Sequence, residues 1–210
     1  MTEVTPVFLV EASSGEPIEA ELRDAIEEQQ LLDWQFQWQP ALIEYLKRLV
    51  AAGVPKSQWP QSWHWDWQAK QDKIEGLLGH RAYCFACKKV TQAMMQLDVA
   101  SKRARIDSQK SKHLVYIDYL EVAPWNWVEP YADPPRYRGA GAILLRAAIE
   151  TSREEGFKGR IGLHSLPQAV RFYEHCGMEN VGPDPDRQNL PYFEMTPEQA
   201  ETFRNKGKKP

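Results

Sequence analysis

The decapeptide His113–Val122 (HLVYIDYLEV) constrains the fold more than any other stretch of the chain. It is built almost throughout from β-branched, aromatic and leucine residues, so it leaves no polar face for water. A strand of that composition has to be covered on both faces, which suits a central position in a sheet with layers on either side. Pro124 ends it. Further along, Arg136-x-x-Gly139-x-Gly141 opens a helix over about 142–155, with Ile143, Leu144, Ala147 and Ala148 facing the sheet and Gly156 stopping it. Residues 160–164 read as a strand. Ser165-Leu166-Pro167 restarts a helix that carries Ala169, Val170, Tyr173 and Cys176 on one face and ends at Gly177. Residues 190–195 form a last strand, and Thr196-Pro197-Glu198-Gln199 begins a short terminal helix. Upstream, 81–88 and 91–99 read as an antiparallel pair, while 100–112 is polar and basic, a loop or an exposed strand end. This order of elements is α/β, with the turn from the central strand through the glycine loop as a ligand site.

The N-terminal third is less patterned. Val7–Val10 reads as an edge strand and 13–17 as a turn. The spacing Ile18, Leu22, Ile26 predicts a helix. Pro40 starts another, with Leu42, Tyr45, Leu46, Leu49 and Val50 as its apolar stripe and Gly53 at its C-terminal end. Six of the eight Trp lie between Trp34 and Trp67, so the aromatic excess is local. Trp63, Trp65 and Trp67 alternate at period two, as on one face of an extended segment. Core packing and an aromatic wall for an acceptor substrate both account for them, and packing is favoured because large aromatics more often fill cores. The domain plan is a helical, Trp-rich elaboration over 1–75 packed on the same domain, a core over 76–203, and a disordered basic tail over 204–210.

A net charge of −3 weighs against a protein whose main work is gripping nucleic acid. No run of 18 apolar residues and no basic n-region occur, so a soluble cytoplasmic protein is expected. Cys84-x-x-Cys87 follows His80, but zinc needs four ligands and no second pair is present. The segment reads as a buried strand, and no metal is expected. His164 and His175 read as structural, because no Ser or Asp is convincingly set around them.

The glycine loop carries the chemistry. The first four N–H groups of a helix have no internal partner and form the positive end of its dipole. Glycines let an anion approach that backbone, and Arg136 and Arg138 can add charge-assisted bonds. Alone, the motif is equally a tight strand-to-helix turn. Three blocks together, over roughly 114–178, resemble the GNAT superfamily of N-acetyltransferases. Tyr116–Pro124 is similar to the family's splayed central strand. Arg136-x-x-Gly139-x-Gly141-x-x-Leu144 matches its acyl-CoA loop, and Ser165–Met178 (SLPQAVRFYEHCGM) matches its third-block helix. The resemblance implies a mixed, mostly antiparallel central sheet flanked by helices. It implies acetyl-CoA as co-substrate, its pyrophosphate bound by the N–H groups of Tyr137, Arg138, Gly139, Ala140, Gly141 and Ala142, with Arg136 beside them. It places the pantetheine arm on the backbone of Leu120 and Val122, with Gln168 and Phe172 also at the cofactor. It makes Tyr173 the donor of a proton to the departing thiolate, a role that a phenol protonated at neutral pH can fill.

An amine must lose its proton before it attacks a thioester. Asp118, Glu121 and Glu194 are the candidate bases. Asp118 shares a strand face with Tyr116, Leu120 and Val122, and Glu121 points the other way unless a bulge intervenes. Glu121 leads because it lies nearest the thioester that the resemblance implies. One departure stands out: Trp125–Pro135 lengthens the link between strand and loop, which leaves open whether Arg136 or Arg138 takes the phosphate. The reading is an N-acetyltransferase acting on a small-molecule or peptide amine by direct attack in a ternary complex. Residues 1–75 offer a homodimer surface. The alternatives are a catalytically silent acyl-CoA-binding or partner-binding module and a toxin-like enzyme modifying charged tRNA, the latter disfavoured by the acidic balance.

Overall fold

A computed structural model describes residues 2–206. Nine strands form one sheet: β1 Val4–Glu11, β2 Pro17–Arg23, β3 His80–Cys87, β4 Val90–Asp98, β5 Val115–Val122, β6 Tyr137–Arg138, β7 Ile161–His164, β8 Glu179–Asp184 and β9 Leu190–Met195. Their order is β6-β1-β2-β3-β4-β5-β7-β9-β8. β5 and β7 pair in parallel, whereas β1/β2, β1/β6, β2/β3, β7/β9 and β8/β9 are antiparallel. The expected central strand is therefore central. No helix among the described residues is long and apolar enough to cross a membrane.

The chain divides into two compact units. The first comprises Met1–Leu77, Ala82–Met95 and Leu120–Leu144. Its start departs from expectation: the segment read as a helix from Ile18 is β2, hairpinned onto β1. Ile18 and Leu22 fit a four-residue repeat, but Ile18, Ala20 and Leu22 also alternate with the exposed Glu19 and Glu21, and that period of two prevails. Helix α1 (Glu28–Asp33) follows, opened by a capping box between Glu27 and Gln30. A π turn over Trp34–Trp38 joins it to α2 (Gln39–Ala51). Pro40 thus sits in the first turn of α2, as expected, although the helical run continues unbroken ahead of it. The π turn accommodates it, because Gln39 N–H bonds back to Trp34 O and the lost donor falls where the ladder is already rerouted. Leu42, Tyr45 and Leu49 are buried, while Val50, expected in that stripe, is 61% exposed.

The Trp-rich stretch is not extended. Gln61–His64 is a 3-10 turn and Trp67 begins α3 (Trp67–Ile74), whose N-cap Asp66 accepts from Ala69 N–H. Trp38 and Trp67 are fully buried. Cys84 and Cys87 are buried in β3, where their thiols donate to the Ala25 and Glu19 carbonyls. Burial pushes the Cys84 thiol up to about 12, so it stays protonated and inert.

The second unit comprises Leu78–Arg81, Gln96–Tyr119 and Leu145–Pro210. Most of α4 (Ala140–Glu154) belongs to it, and Leu145, Ala147, Ala148 and Ile149 are buried. Gly162 lies in the middle of β7 because nothing larger fits: a Cβ there would meet Tyr192 Oη at 2.5 Å. Helix α5 (Val170–His175) carries Tyr173 against Phe193 of β9, with ring centroids 5.8 Å apart. Strand β8 was not expected from the sequence; its exposed, Gly- and Pro-containing run has no apolar signature. Helix α6 (Pro197–Asn205) closes the described chain, and the remainder of the expected basic tail lies outside the described residues.

Candidate active site

The first part of the site is the start of α4. The Arg136 N–H donates to Trp125 O (3.0 Å) and the Tyr137 N–H to Asn126 Oδ1 (3.0 Å). Tyr137 and Arg138 form β6, paired with Glu11 and Val10 of β1. The first helical bond runs from Ile143 N–H to Gly139 O. By helix geometry the N–H groups of Gly139, Ala140, Gly141 and Ala142 then have no partner within the helix. Of the amides expected over 137–142 to face an anion, the Tyr137 amide drops out because it is already engaged. Gly139 takes φ +95, a conformation that glycine adopts without strain, and a Cβ there would meet open space. Conformation, not room, demands this glycine.

The two arginines differ. Arg136 stacks over Trp125, 5.1 Å from the ring centroid. Arg138 is exposed, and among the described residues no ion pair engages it. A cavity of about 380 Å³ opens beside the loop, lined by Glu11, Ser13, Pro134, Arg136, Tyr137 and Arg138.

The insert Trp125–Pro135 is docked, not dangling. The Trp125 indole and the Asn126 amide both donate to Gln92 Oε1 (2.9 and 3.0 Å). Trp127 meets Tyr45 of α2 edge-on at 5.4 Å, the Tyr45 hydroxyl donates to Pro130 O, and Arg48 pairs with Asp133 at 2.8 Å. Trp127 Nε1 also donates to Val122 O at 2.9 Å. That carbonyl is occupied, so the expectation for Val122 reduces to its N–H.

Strand β5 contains the irregularity that the sequence left open. Val115 N–H donates to Arg160 O (3.1 Å), toward β7. In an unbroken strand the N–H of Ala123, an even number of residues further on, points to the same side. It donates instead to Gln92 O of β4 (2.9 Å). The alternation is reset on the way, as an extra residue in a strand does. The regular-strand argument that set Glu121 opposite Asp118 therefore no longer decides between them. The parallel pairing with β7 stops at Ile117↔Leu163, although β5 runs on to Val122.

The carboxylates now separate by environment. Glu194 is fully buried and accepts from Arg105 N–H (2.6 Å), Ile106 N–H (3.3 Å), Gln109 Nε2 (2.5 Å) and Tyr192 Oη (2.9 Å). A carboxylate so saturated is a structural acceptor. Asp118 is half-buried; burial, then the neighbouring Asp98 charge, raise it to about 6. Glu121 is half-buried, and burial raises it to about 7 against the opposing pull of bonds from Trp67 and Ser62 and the charge of Lys70. The Trp67 indole N–H lies 2.7 Å from its Oε2. A carboxyl that titrates near neutrality is suited to accept a proton at working pH.

Tyr173 belongs to the second unit. Its ring is 6% exposed, and burial, then the neighbouring Cys176, raise its pKa above the ordinary tyrosine value. Among the described residues no group bonds its hydroxyl. Phe172 is half-buried and packs against Tyr173 at 5.1 Å, whereas Gln168 is exposed in the 3-10 turn before α5. The same unit holds a relay that the sequence did not reveal: Tyr116 Oη lies 2.5 Å from His164 Nδ1, and His164 Nε2 lies 2.8 Å from Asp184, which also pairs with Arg105. His164 is embedded in polar partners, not idle packing. Among the described residues no group of three His, Cys, Asp or Glu could hold a metal ion.

Sequence reasoning missed Trp67, Ser62 and Asn126. The signal for Trp67 was the local Trp excess, but the period-two reading hid its position at a helix start.

The sequence matches the profile of the acetyltransferase (GNAT) family over residues 23–178. No curated protein matches the chain. Among solved structures, a protein of the GNAT family from Desulfovibrio desulfuricans superposes with a TM-score of 0.53 at 11% identity, covering 84% of this chain and 98% of that one. An uncharacterized protein from Bacillus halodurans gives 0.53 at 10% identity over 97% and 96%, and a bacterial toxin 0.52 at 11% over 96% and 94%. At such identities these likenesses show the fold. The family profile spans well over half of the chain, and by that match the chain belongs to the acetyltransferase (GNAT) family.

Proposed function

We propose that the chain is an N-acetyltransferase that moves the acetyl group of acetyl-CoA to a primary amine by direct attack, with Glu121 as general base. The observation that carries this reading is the Glu121 carboxyl, half-buried and bonded at 2.7 Å by the Trp67 indole; burial raises its pKa to about 7. A module that only bound acyl-CoA would have no use for a base poised at neutrality.

Acetyl-CoA supplies the activated thioester. The amides of Gly139–Ala142 fit a pyrophosphate, with the positive end of α4 behind them. Arg138 is the better candidate for a phosphate contact, because the Arg136 guanidinium is already stacked on Trp125. The Leu120 backbone and the Val122 N–H are the proposed contacts of the pantetheine arm. Gln168 and Phe172 keep their cofactor roles on the resemblance alone. Glu121, as carboxylate, takes the proton of the acceptor ammonium directly or through one water. Tyr173, protonated throughout the physiological range, returns a proton to the departing sulfur; this role rests on its motif and its protonation state. Asp118 lacks the indole clamp and is proposed as a second acidic group, not as the base.

Release of free thiol from acetyl-CoA, followed across a panel of diamines, amino sugars and lysyl peptides, tests the reading. Turnover that falls about 10²–10⁴-fold in Glu121→Gln, the usual contribution of a positioned base, supports it. Calorimetric binding of CoA without turnover of any amine would instead favour the silent module. Retained turnover in Glu121→Gln would remove Glu121 from its role.

A further inference from the structure

Lys70 lies on the α3 face that also carries the indole bonded to Glu121. Its Nζ lies 4.7 Å from the centroid of the Trp65 ring. Trp65 meets Trp67 edge-on at 6.5 Å, and the Trp67 indole is 2.7 Å from Glu121 Oε2. Trp67 and Lys70 are three residues apart in α3 and so share one helix face. Lys70 is half-buried, whereas Lys73 on the same helix is exposed. An aromatic face attracts an ammonium and holds it in place. Consistently, Lys70 is the cation whose charge is felt at the Glu121 carboxyl.

We propose that Lys70 is a self-acetylation site, its Nζ being acetylated from acetyl-CoA with Glu121 as the base. The inference rests on the Glu121 reading given above. In the step, Glu121 takes one proton from the Lys70 ammonium. The freed lone pair forms the N–C bond at the thioester carbonyl, the C–S bond breaks, and the sulfur leaves as CoA thiolate that picks up a proton. The products are Nζ-acetyl-lysine, CoA thiol and one proton, and acetyl-CoA is the sole co-reactant. Carrying the amine on the same turn of α3 as the indole that bonds Glu121 replaces a bimolecular encounter by an intramolecular one, which favours Lys70 over the exposed lysines.

The test incubates the purified full chain with acetyl-CoA alone and follows acetyl occupancy of each lysine by peptide mass spectrometry. Lys73 and Lys47 serve as internal controls. Lys70 is expected to be acetylated at least about a hundredfold faster than Lys73, the lower end of base-assisted transfer, with a half-time independent of protein concentration. Lys70→Arg should remove that acetyl group, and Glu121→Gln should slow Lys70 to the rate of Lys73. Equal rates at Lys70 and Lys73 in the wild type overturn the proposal, even if Glu121→Gln does not fold. Thiol release with external amines is measured on the same preparation. Glu121-dependent turnover with Lys70 unmodified leaves the base reading standing and removes self-acetylation. Modification of Lys70 and amine turnover that both survive Glu121→Gln remove the base reading as well.

Discussion

Replacing Trp67 by Phe gives the most discriminating test of the site. The substitution keeps an aromatic body at a fully buried position and deletes the indole N–H that donates to Glu121 at 2.7 Å. A hydrogen bond to a charged group is worth about 1.5–3 kcal/mol, and one pKa unit corresponds to about 1.4 kcal/mol. The bond favours the carboxylate, so its loss raises the pKa. Because the Ser62 bond remains, the lower end applies, and Glu121 should move from about 7 up by about one unit. A general base acts only when deprotonated, so the acidic limb of the kcat/KM profile shifts to higher pH. At pH 7 the active fraction falls from about a half to about a tenth, a roughly fivefold loss, while the rate on the alkaline plateau is largely kept. The smaller ring leaves a cavity costing roughly 1–3 kcal/mol, so the profile is recorded well below the lowered Tm. A limb that stays in place, with activity reduced equally at all pH values, would mean that Trp67 only packs and that Glu121 is not the base. A limb that moves to lower pH would show that the sign of the argument is wrong.

Four further outcomes follow from the same geometry. Gly139→Ala places a side chain at φ +95 in open space, so it should cost about 1–2 kcal/mol of local strain, seen as a raised KM for acetyl-CoA and a Tm lowered by a few degrees. Tyr173→Phe should lower kcat about 10²-fold or more and leave Tm nearly unchanged, because no described group bonds the hydroxyl that is removed; equal kcat would end its role as proton donor. Glu194→Gln breaks charge-assisted bonds from two backbone amides and sets one amide group against Gln109, so unfolding in urea should show a loss of about 2–4 kcal/mol. Asp184 is held down to about 2 by the Arg105 bond and then by His164; a carboxyl lowered on folding adds stability that is present above its unfolded value and lost as pH falls, so the second unit should weaken between about pH 4 and pH 2, and Asp184→Asn should flatten that slope.

How much of this was legible depended on whether the signal was local. β5 and β9 are apolar runs bounded by breakers, and the helix of the third block is amphipathic, so their places in the chain follow from period and caps. The β1–β2 hairpin was not legible, because Ile18 and Leu22 satisfy a helical and an extended repeat equally and only pairing with β1 and β3 decides. The base proposed above was not legible for a similar reason. Asp118 and Glu121 are ordinary acidic residues in one strand, and what separates them is an indole that arrives from 54 residues away and bonds Glu121. Glu194 looked equally eligible until its donors were known. Tertiary partners assign roles to carboxylates; the residue type does not.

The insert Trp125–Pro135 shows the same logic acting on the cofactor loop. A longer link between strand and helix ought to loosen the loop, since each added residue adds backbone entropy to be lost on ordering. Here its added residues supply the contacts that order it. Gln92 holds Trp125 and Asn126, Asn126 fixes the Tyr137 amide, and α2 holds the far end through Tyr45 and Arg48. The consequence is a trade in donors. Arg136 and the amides of residues 136 and 137 are spent inside the protein, so the proposed phosphate contacts are the amides that begin α4 and Arg138. Cutting the tether at α2 by Arg48→Ala should therefore weaken CoA binding without touching a single proposed ligand group. The Arg48–Asp133 pair is exposed and contributes little to stability by itself, so Tm should barely move. An affinity for CoA that is unchanged in that variant, measured by calorimetry, would show that the loop holds its shape without the insert's anchorage.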